Sequence, residues 1–458
     1  MGASFETNGS KRGFLKALLL KHWDRVRSSF WFVPAAMACL AVVLALSAIE
    51  LDKTIAEGWL RRLGWIYSGG AEGASLLLGT VAGSMIAIAG TVFSMTLVAL
   101  SLASSQLGPR LLRNFMRDTA NQVVLGTFVA TFVYCLLVLR TIRRADEIAF
   151  VPHLSVSIGL LLAMVSIGVL IYFIHHVSVS IQADEVVARV GRELENGIDR
   201  LFPGHLGKPG SKVSQAPSDA DLPAAFAREA RAVGALEDGY LQLIDADALM
   251  ALAAKEDLVL RLERRPGHYI VKGRAMVMVW PGDRVTGTLV DRLNATFVLG
   301  NQRTAAQDVE FSFQQLVEIA VRALSPGIND PFTAIACVDR LGSGLCRLAR
   351  REMPSALRFD PHGRLRLVAP GSSFAGIVDM AFNQIRQSAR SNPPVAIRML
   401  DAIALIAGQV QRAQDAACLQ RQAGMIVTAA RETVPEPDDL RAVEASFTAA
   451  AQALREIL

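Results

Sequence analysis

The 458-residue sequence lacks the short motifs that identify most enzymes. It has no Gly-rich phosphate loop, no GxGxxG after a predicted strand, no HExxH and no GxSxG elbow. Its five cysteines include no CxxC pair, and their odd number provides no disulfide framework. We therefore assign no catalytic, cofactor-binding or metal-ligating residue, and an enzyme acting at a membrane surface is the least supported function.

Charge is also scarce where it would be most informative. Only 19% of the residues are charged, and the four long apolar runs within residues 30–180 hold no acidic or basic residue deep inside them. Proton relays and voltage sensors need such intramembrane charges, so both are disfavoured. No basic stripe is interleaved with aromatic residues, which argues against nucleic acid as a partner.

Long hydrophobic stretches, in contrast, are abundant. Hydrophobic residues make up 52% of the chain and the mean hydropathy is +0.34, because residues 1–180 are far more apolar than the remainder. About 20 apolar residues are needed for a helix to cross a bilayer. Stretches of that length predict four transmembrane helices, near residues 30–49, 74–102, 123–142 and 154–178.

The distribution of basic residues predicts the orientation of these helices. The N-terminal segment 1–29 is basic, and the loop after the second helix carries Arg110, Arg113 and Arg117. Basic residues near short loops favour the cytoplasmic side. We therefore expect a bacterial-type inner membrane protein with both termini in the cytoplasm, although the arginines after the third helix, at 140, 143 and 144, argue the other way.

The second predicted helix combines small and hydroxyl-bearing residues. Gly79 and Gly83 form a GxxxG step, which permits close helix packing. Hydroxyl groups along the same helix can bond to their own backbone and assist packing, which is the more frequent role, or line a pathway for ions. The residues that we predict to line such a pore are Thr91, Ser94, Ser101, Ser104 and Ser105.

Residues 181–458 have the composition of a soluble α+β region. The pattern predicts a stalk helix at 181–202, a Gly/Pro/Ser-rich linker at 203–223, a β-rich module at 224–302 and a mainly helical domain at 303–458. Within the last range, residues 357–368 alternate in polarity around the turn sequence DPHG and predict a hairpin. The fold class is thus a four-helix membrane protein with a small β-rich module and C-terminal helices in the cytosol.

Polar residues also cluster in sequence around the stretch SPGINDP. Asp330 precedes Pro331 at the start of a predicted helix, which is typical of an N-cap followed by proline. Caps and turns account for these residue types without any ligand. The functional alternative is a ligand site or interface built from Arg303, Asp308, Asn329 and Asp330.

Several stretches together resemble a bacterial family of unknown function. They are SLASSQLGPRLLRNFMRD at Ser101–Asp118, GYLQLID at Gly239–Asp245, the RPG turn at Arg265–Gly267 and QLVEIAVRALSPGINDPFTA at Gln315–Ala334. The family comprises predicted membrane proteins with four N-terminal helices and a soluble C-terminal region. The resemblance covers nearly the whole chain and implies this architecture, without implying an activity.

Two functions remain open besides the enzyme. The first is a homo-oligomeric channel in which the second helix lines the pathway and the cytosolic part assembles and gates it. The second is a membrane-anchored regulator or scaffold whose cytosolic part binds a protein or a small ligand. The expected partners are the lipid bilayer, further copies of the chain, and ions or a small ligand.

Overall fold

A computed structural model describes residues 31–54, 67–107, 119–142, 150–180, 182–202 and 222–457. The chain divides into two compact units, Met1–Gln182 and Ala183–Leu458, which are described separately below. The predicted basic segment 1–29 and nearly all of the predicted linker 203–223 lie outside the described residues.

The first unit contains four helices, within its described residues, that are long and apolar enough to cross a membrane. This confirms the predicted fold class of the N-terminal part. The helices are α1 (Phe32–Thr54), α2 (Ala71–Leu107), α3 (Thr119–Thr141) and α4 (His153–Ser180). With 37 residues, α2 is about 55 Å long at 1.5 Å per residue, well beyond a hydrocarbon core of roughly 30 Å.

Helix α3 is the centre of this unit, because it packs against α1, α2 and α4. Small residues make the contact with α1 close. A Cβ atom added to Gly126 on α3 would lie 3.2 Å from the Cα atom of Pro34, and Ala41 and Ala45 of α1 are buried. Helices in lipid gain their contacts from such close approaches, since no hydrophobic effect drives them together.

One carboxylate joins the end of α1 to the start of α4. Oxygen atoms of Asp52 accept hydrogen bonds from the backbone N–H groups of Leu154 and Ser155 at 3.0 and 2.8 Å, and from the Ser155 hydroxyl at 2.6 Å. The first N–H groups of a helix have no partner within the helix and favour a negative charge. Asp52 therefore fixes where α4 begins relative to α1.

The second unit contains helices and two sheets. Its helices are α5 (Ala183–Leu201), α6 (Phe226–Glu229), α7 (Ala246–Lys255), α8 (Gly287–Asn294), α9 (Val309–Ala323), α10 (Pro331–Ala349), α11 (Phe374–Ser388), α12 (Pro393–Ala407), α13 (Ala413–Thr433) and α14 (Pro437–Arg455). Its strands are β1 (Arg231–Gly234), β2 (Gly239–Ile244), β3 (Val259–Leu262), β4 (Tyr269–Ile270), β5 (Ala275–Trp280), β6 (Phe297–Gly300), β7 (Leu357–Phe359) and β8 (Leu365–Val368).

The strands form one sheet in the order β1-β5-β3-β8-β7 and another in the order β4-β2-β6. All pairings are antiparallel except β3 with β8, in which Leu260 lies opposite Leu367. Both leucines are buried in a core that α7 and α8 complete.

The hairpin predicted at residues 357–368 is present, as β7 and β8. The sequence pattern predicts this hairpin within the helical domain 303–458, whereas in the structure it joins the sheet of the module 224–302 through the parallel pairing with β3. Residues 224–302 and 303–458 accordingly lie in one compact unit. A pairing between strands about 100 residues apart leaves no periodic signal in either segment.

Helix α5 occupies the range predicted as a stalk, and it packs against α9 and α10. A Cβ atom added to Gly344 of α10 would lie 2.7 Å from Leu194, so the glycine permits the close approach of α5. Arg347 of α10 donates hydrogen bonds to Glu195 and Asp199 at 3.1 and 2.8 Å. The helix is thus an integral part of the second unit.

Candidate functional site

The residues predicted to line a pore lie on an outward-facing side of α2. Thr91, Ser94 and Ser101 are exposed in the single chain, and so is Ser105, while the side chain of Ser104 lies outside the described residues. Added Cβ atoms at Gly79, Gly83 and Gly90 would meet no atom within 4 Å. We call these seven described positions the α2 outer face. Six of them, Gly79, Gly83, Gly90, Ser94, Ser101 and Ser105, follow one another at intervals of 4 or 7 residues and so share one side of the helix, and Thr91 lies at the margin of that side.

Backbone carbonyls already engage several hydroxyls of this helix. Thr91 donates to the carbonyl of Ala87 at 3.1 Å, Thr80 to that of Leu76 at 2.8 Å, and Ser105 to that of Leu102 at 2.9 Å. A hydroxyl that donates its hydrogen in this way keeps lone pairs on its oxygen. The arrangement is therefore compatible with a second acceptor role, toward a cation or a donor on a neighbouring helix.

A second polar feature joins a turn to the start of α9. Arg265 meets both carboxylate oxygens of Glu310, with Nη1–Oε1 at 2.5 Å and Nη2–Oε2 at 3.0 Å, and its Nη1 also donates to the Ser372 hydroxyl at 2.5 Å. The Glu310 side chain is only 12% exposed. Bidentate pairs of this kind fix geometry strongly, and a buried carboxylate requires such a partner.

Arg303 and Asp308 form a second pair beside the first. The Arg303 Nη2 atom lies 2.8 Å from Asp308 Oδ2, whose side chain is 4% exposed. Asp308 also accepts from the N–H of Phe311 and so caps α9. The RPG turn touches this pair, because a Cβ atom added to Gly267, which has φ of 93°, would lie 2.2 Å from Asp308 Oδ2.

The structure therefore brings together two of the four predicted cluster residues, Arg303 and Asp308. Asn329 and Asp330 follow the other end of α9, about 22 Å away along its 15 residues. Asp330 caps α10 by accepting from the N–H of Thr333 at 3.1 Å and from its hydroxyl at 2.5 Å, as the sequence predicts. Asn329 adopts a positive φ of 50°, which asparagine tolerates better than most residues.

Burial and neighbouring charges shift two pKa values in the turn network. The pKa of His268 is lowered by burial and by the nearby guanidinium groups of Arg265, Arg264 and Arg303, and Glu310 opposes this shift. The pKa of Asp308 is raised by burial, against the effect of Arg303. Because His268 Nε2 accepts a hydrogen bond from Arg265 Nε at 3.2 Å, its neutral form fits the network.

Comparisons with known proteins identify the family. The profile described as "Predicted membrane protein (DUF2254)" matches residues 27–405. The chain belongs to the DUF2254 family. Uncharacterised proteins of Mycobacterium bovis and Mycobacterium tuberculosis are each 32% identical to it over 429 residues, which cover 91% of this chain and 79% of each relative. No solved structure matches the chain.

Membership of the DUF2254 family confirms the resemblance drawn from the four sequence stretches, and it supplies no activity. Two of those stretches converge in the turn network. Leu241 of β2 and the RPG turn exchange backbone hydrogen bonds, from Gly267 N to Leu241 O at 2.8 Å and from Leu241 N to His268 O at 2.9 Å. The RPG turn marks the position of Arg265 in the sequence. Glu310 stands in an ordinary helical pattern, and the sequence alone does not predict its role.

We predict that Arg265→Leu loosens the network at both ends. The change leaves Glu310 buried without its cation, which destabilises this region by about 2–4 kcal/mol. Hydrogen exchange of the full-length DUF2254 protein should then become faster in peptides covering 258–272 and 309–323. Arg364→Leu is the matched control, since that side chain is largely exposed and lies 4.0 Å from its acidic neighbour. Equal exchange in the two variants would contradict the structural role of the pair.

We also predict that acidification opens the RPG turn. The lowered pKa of His268 means that the folded state favours its neutral form. Stability from this group is complete above the ordinary pKa of about 6.5 and is lost as the pH falls toward the lower folded value. Exchange rates in residues 258–272, corrected for the intrinsic effect of pH, should rise between pH 7.5 and 5.0. In His268→Gln the rise should disappear, and an unchanged rise would refute the assignment.

Proposed function

We propose that this DUF2254 chain forms a homo-oligomeric pore in a bacterial inner membrane, with α2 lining the pathway and the second unit assembling and gating the subunits. Both termini are then cytoplasmic, in accord with the basic segment 1–29 and the basic loop after α2. Ions are the proposed substrate. The supporting observation is the α2 outer face.

The α2 outer face contrasts with the outward side of α4. There the exposed residues are large and apolar, as suits contact with lipid chains: Leu161, Met164, Ile167 and Ile171. The α2 outer face adds glycines and hydroxyls between the exposed apolar residues Leu76, Ile86 and Leu97, with open space beside the glycines. Small residues gain little from lipid and much from a closely approaching helix.

A second copy of the chain accounts for this face without rearrangement of the first. Glycines permit α2 helices of neighbouring subunits to approach, and closed rings of identical subunits place equivalent helices around one axis. Hydroxyl oxygens on helices around that axis supply the partial charges that replace water around an ion. The absence of deep charges in the four predicted spans favours a pore of modest polarity over a proton pump.

The alternative is a membrane-anchored regulator, and one observation favours it. Phe332 follows the SPGINDP turn and is 81% exposed, with Ile328 beside it at 41%. Asp330 caps α10 by accepting from the N–H of Thr333, so Phe332 stands in the first turn of a capped helix. Exposed aromatic residues are enriched at protein interfaces. Absence of ion flux through the protein reconstituted into liposomes would favour this alternative.

We predict that Gly83→Leu dissociates the oligomer while each subunit stays folded. A Cβ atom added at residue 83 meets no atom of the described residues within 4 Å, so we expect the longer side chain to act on a neighbouring copy. Light scattering coupled to size exclusion in detergent should show a lower mass. Gly168→Leu on α4 is the matched control, because its Cβ also meets open space, on the side of the bundle with large apolar residues. An unchanged mass for Gly83→Leu would count against the proposed packing.

We further predict that thiol reagents block flux at the α2 outer face. In a Cys39→Ala background, which removes the exposed native thiol of the first unit, Ser94→Cys and Ser101→Cys are reconstituted into liposomes. A charged methanethiosulfonate should inhibit their ion flux, since a pore-lining thiol is wet and therefore reactive. Leu161→Cys, on the outward side of α4, should be unaffected. Conduction that the reagent leaves intact at both serine positions would overturn the lining assignment.

A further inference from the structure

An open cleft between α11 and α13 is lined by an excess of cations. Its volume is about 550 Å³, within the usual range for sites that hold small organic molecules. Arg386 comes from α11, Arg390 follows that helix, and Arg421 comes from α13. The acidic residue in the lining is Glu432, which lies 4.0 Å from Arg390.

The three arginines differ in how many acceptors within the protein their guanidinium groups meet. Arg421 donates to Asp379 at 2.6 Å and is part of the contact between the two helices. Among the residues that the structure describes, the Arg390 guanidinium has the long, exposed pair with Glu432 as its one ion pair. The Nε atom of Arg386 is buried and, among the described residues, has no acceptor. A buried donor without an acceptor is costly, so the fold holds this side chain at a cost in stability. Nε itself is closed to solvent, and a ligand would meet the part of the Arg386 side chain that lines the cleft.

The lining that α13 contributes between residues 424 and 429, which we call the α13 floor, carries no charged side chain. Residues Gly424, Met425, Thr428 and Ala429 lie along one face of α13. A Cβ atom at Gly424 would meet nothing within 4 Å, so the glycine leaves the cleft open. Met425 offers a polarisable surface suited to a flat organic group, and Thr428 offers a hydroxyl.

We propose that this cleft binds an organic phosphate monoester of about the size of a mononucleotide. Its phosphate lies on Arg386 and Arg390, because guanidinium groups match phosphate oxygens in charge and geometry. Its organic part covers the α13 floor at Met425. The cleft belongs to the second unit and the α2 outer face to the first, and ligand binding in the cleft does not require the pore.

Calorimetric titration of the full-length protein in detergent tests this assignment, with AMP as the probe. AMP should bind, adenosine should not bind measurably, and Arg386→Gln and Arg390→Gln should each weaken AMP binding by at least tenfold. Gly424→Leu should also abolish binding, by filling the cleft without touching a charge. Arg441→Gln, an exposed arginine on α14, is the matched control and should bind AMP as the original protein does.

Dihexanoylphosphatidic acid, a water-soluble lipid with the same phosphate monoester, distinguishes two sources of the ligand. Binding of this lipid with the same loss in Arg386→Gln supports the site and identifies a membrane lipid as its source. Tighter binding of AMP than of this lipid supports the site and identifies a soluble metabolite as the source of the ligand. The proposal is overturned when neither compound binds, or when Arg386→Gln, Arg390→Gln and Gly424→Leu all retain full affinity.

Discussion

The bidentate pair of Arg265 with Glu310 is the interaction on which the second unit most depends. Glu310 stands in the first turn of α9, where burial would disfavour its charge without a cation. Arg265 reaches it from the turn between β3 and β4 and also contacts Ser372 ahead of α11. One guanidinium thereby holds the strands to two of the helices, and the adjoining Arg303–Asp308 pair caps the same α9.

The first unit is governed by a different constraint, the absence of water around its helices. Its polar contacts accordingly lie where they serve helix ends and helix pairs, as Asp52 does at the start of α4 and Thr131 does with Ser166 at 3.2 Å. Many outward side chains are large and apolar. The α2 outer face adds glycines and hydroxyls among such side chains, and this combination is the basis of the proposed oligomer.

Local features were the part of the fold that sequence reasoning predicted well. The Asp330 cap, with Pro331 in the first helical turn, depends on neighbouring residues, and the structure confirms it. The hairpin 357–368 likewise depends on a local turn and alternation, and it is confirmed. The partner strand of that hairpin was not predictable, because β3 lies about 100 residues earlier and many apolar strands would have fitted equally well.

The candidate sites show the same division. Spacing alone placed the small and hydroxyl residues of α2 on one side, but only packing against α3 and α4 decided that this side faces outward. Arg303 and Asp308 are close in sequence, and the structure pairs them. Asn329 and Asp330 lie beyond the opposite end of α9, so they do not join that pair. Composition and hydropathy, which sum over neighbours, determined by themselves the four membrane helices and the less apolar α+β region that follows. Long-range contacts such as Arg265–Glu310 and the arginine cleft between α11 and α13 were decided by the tertiary structure, because only folding brings distant segments within reach.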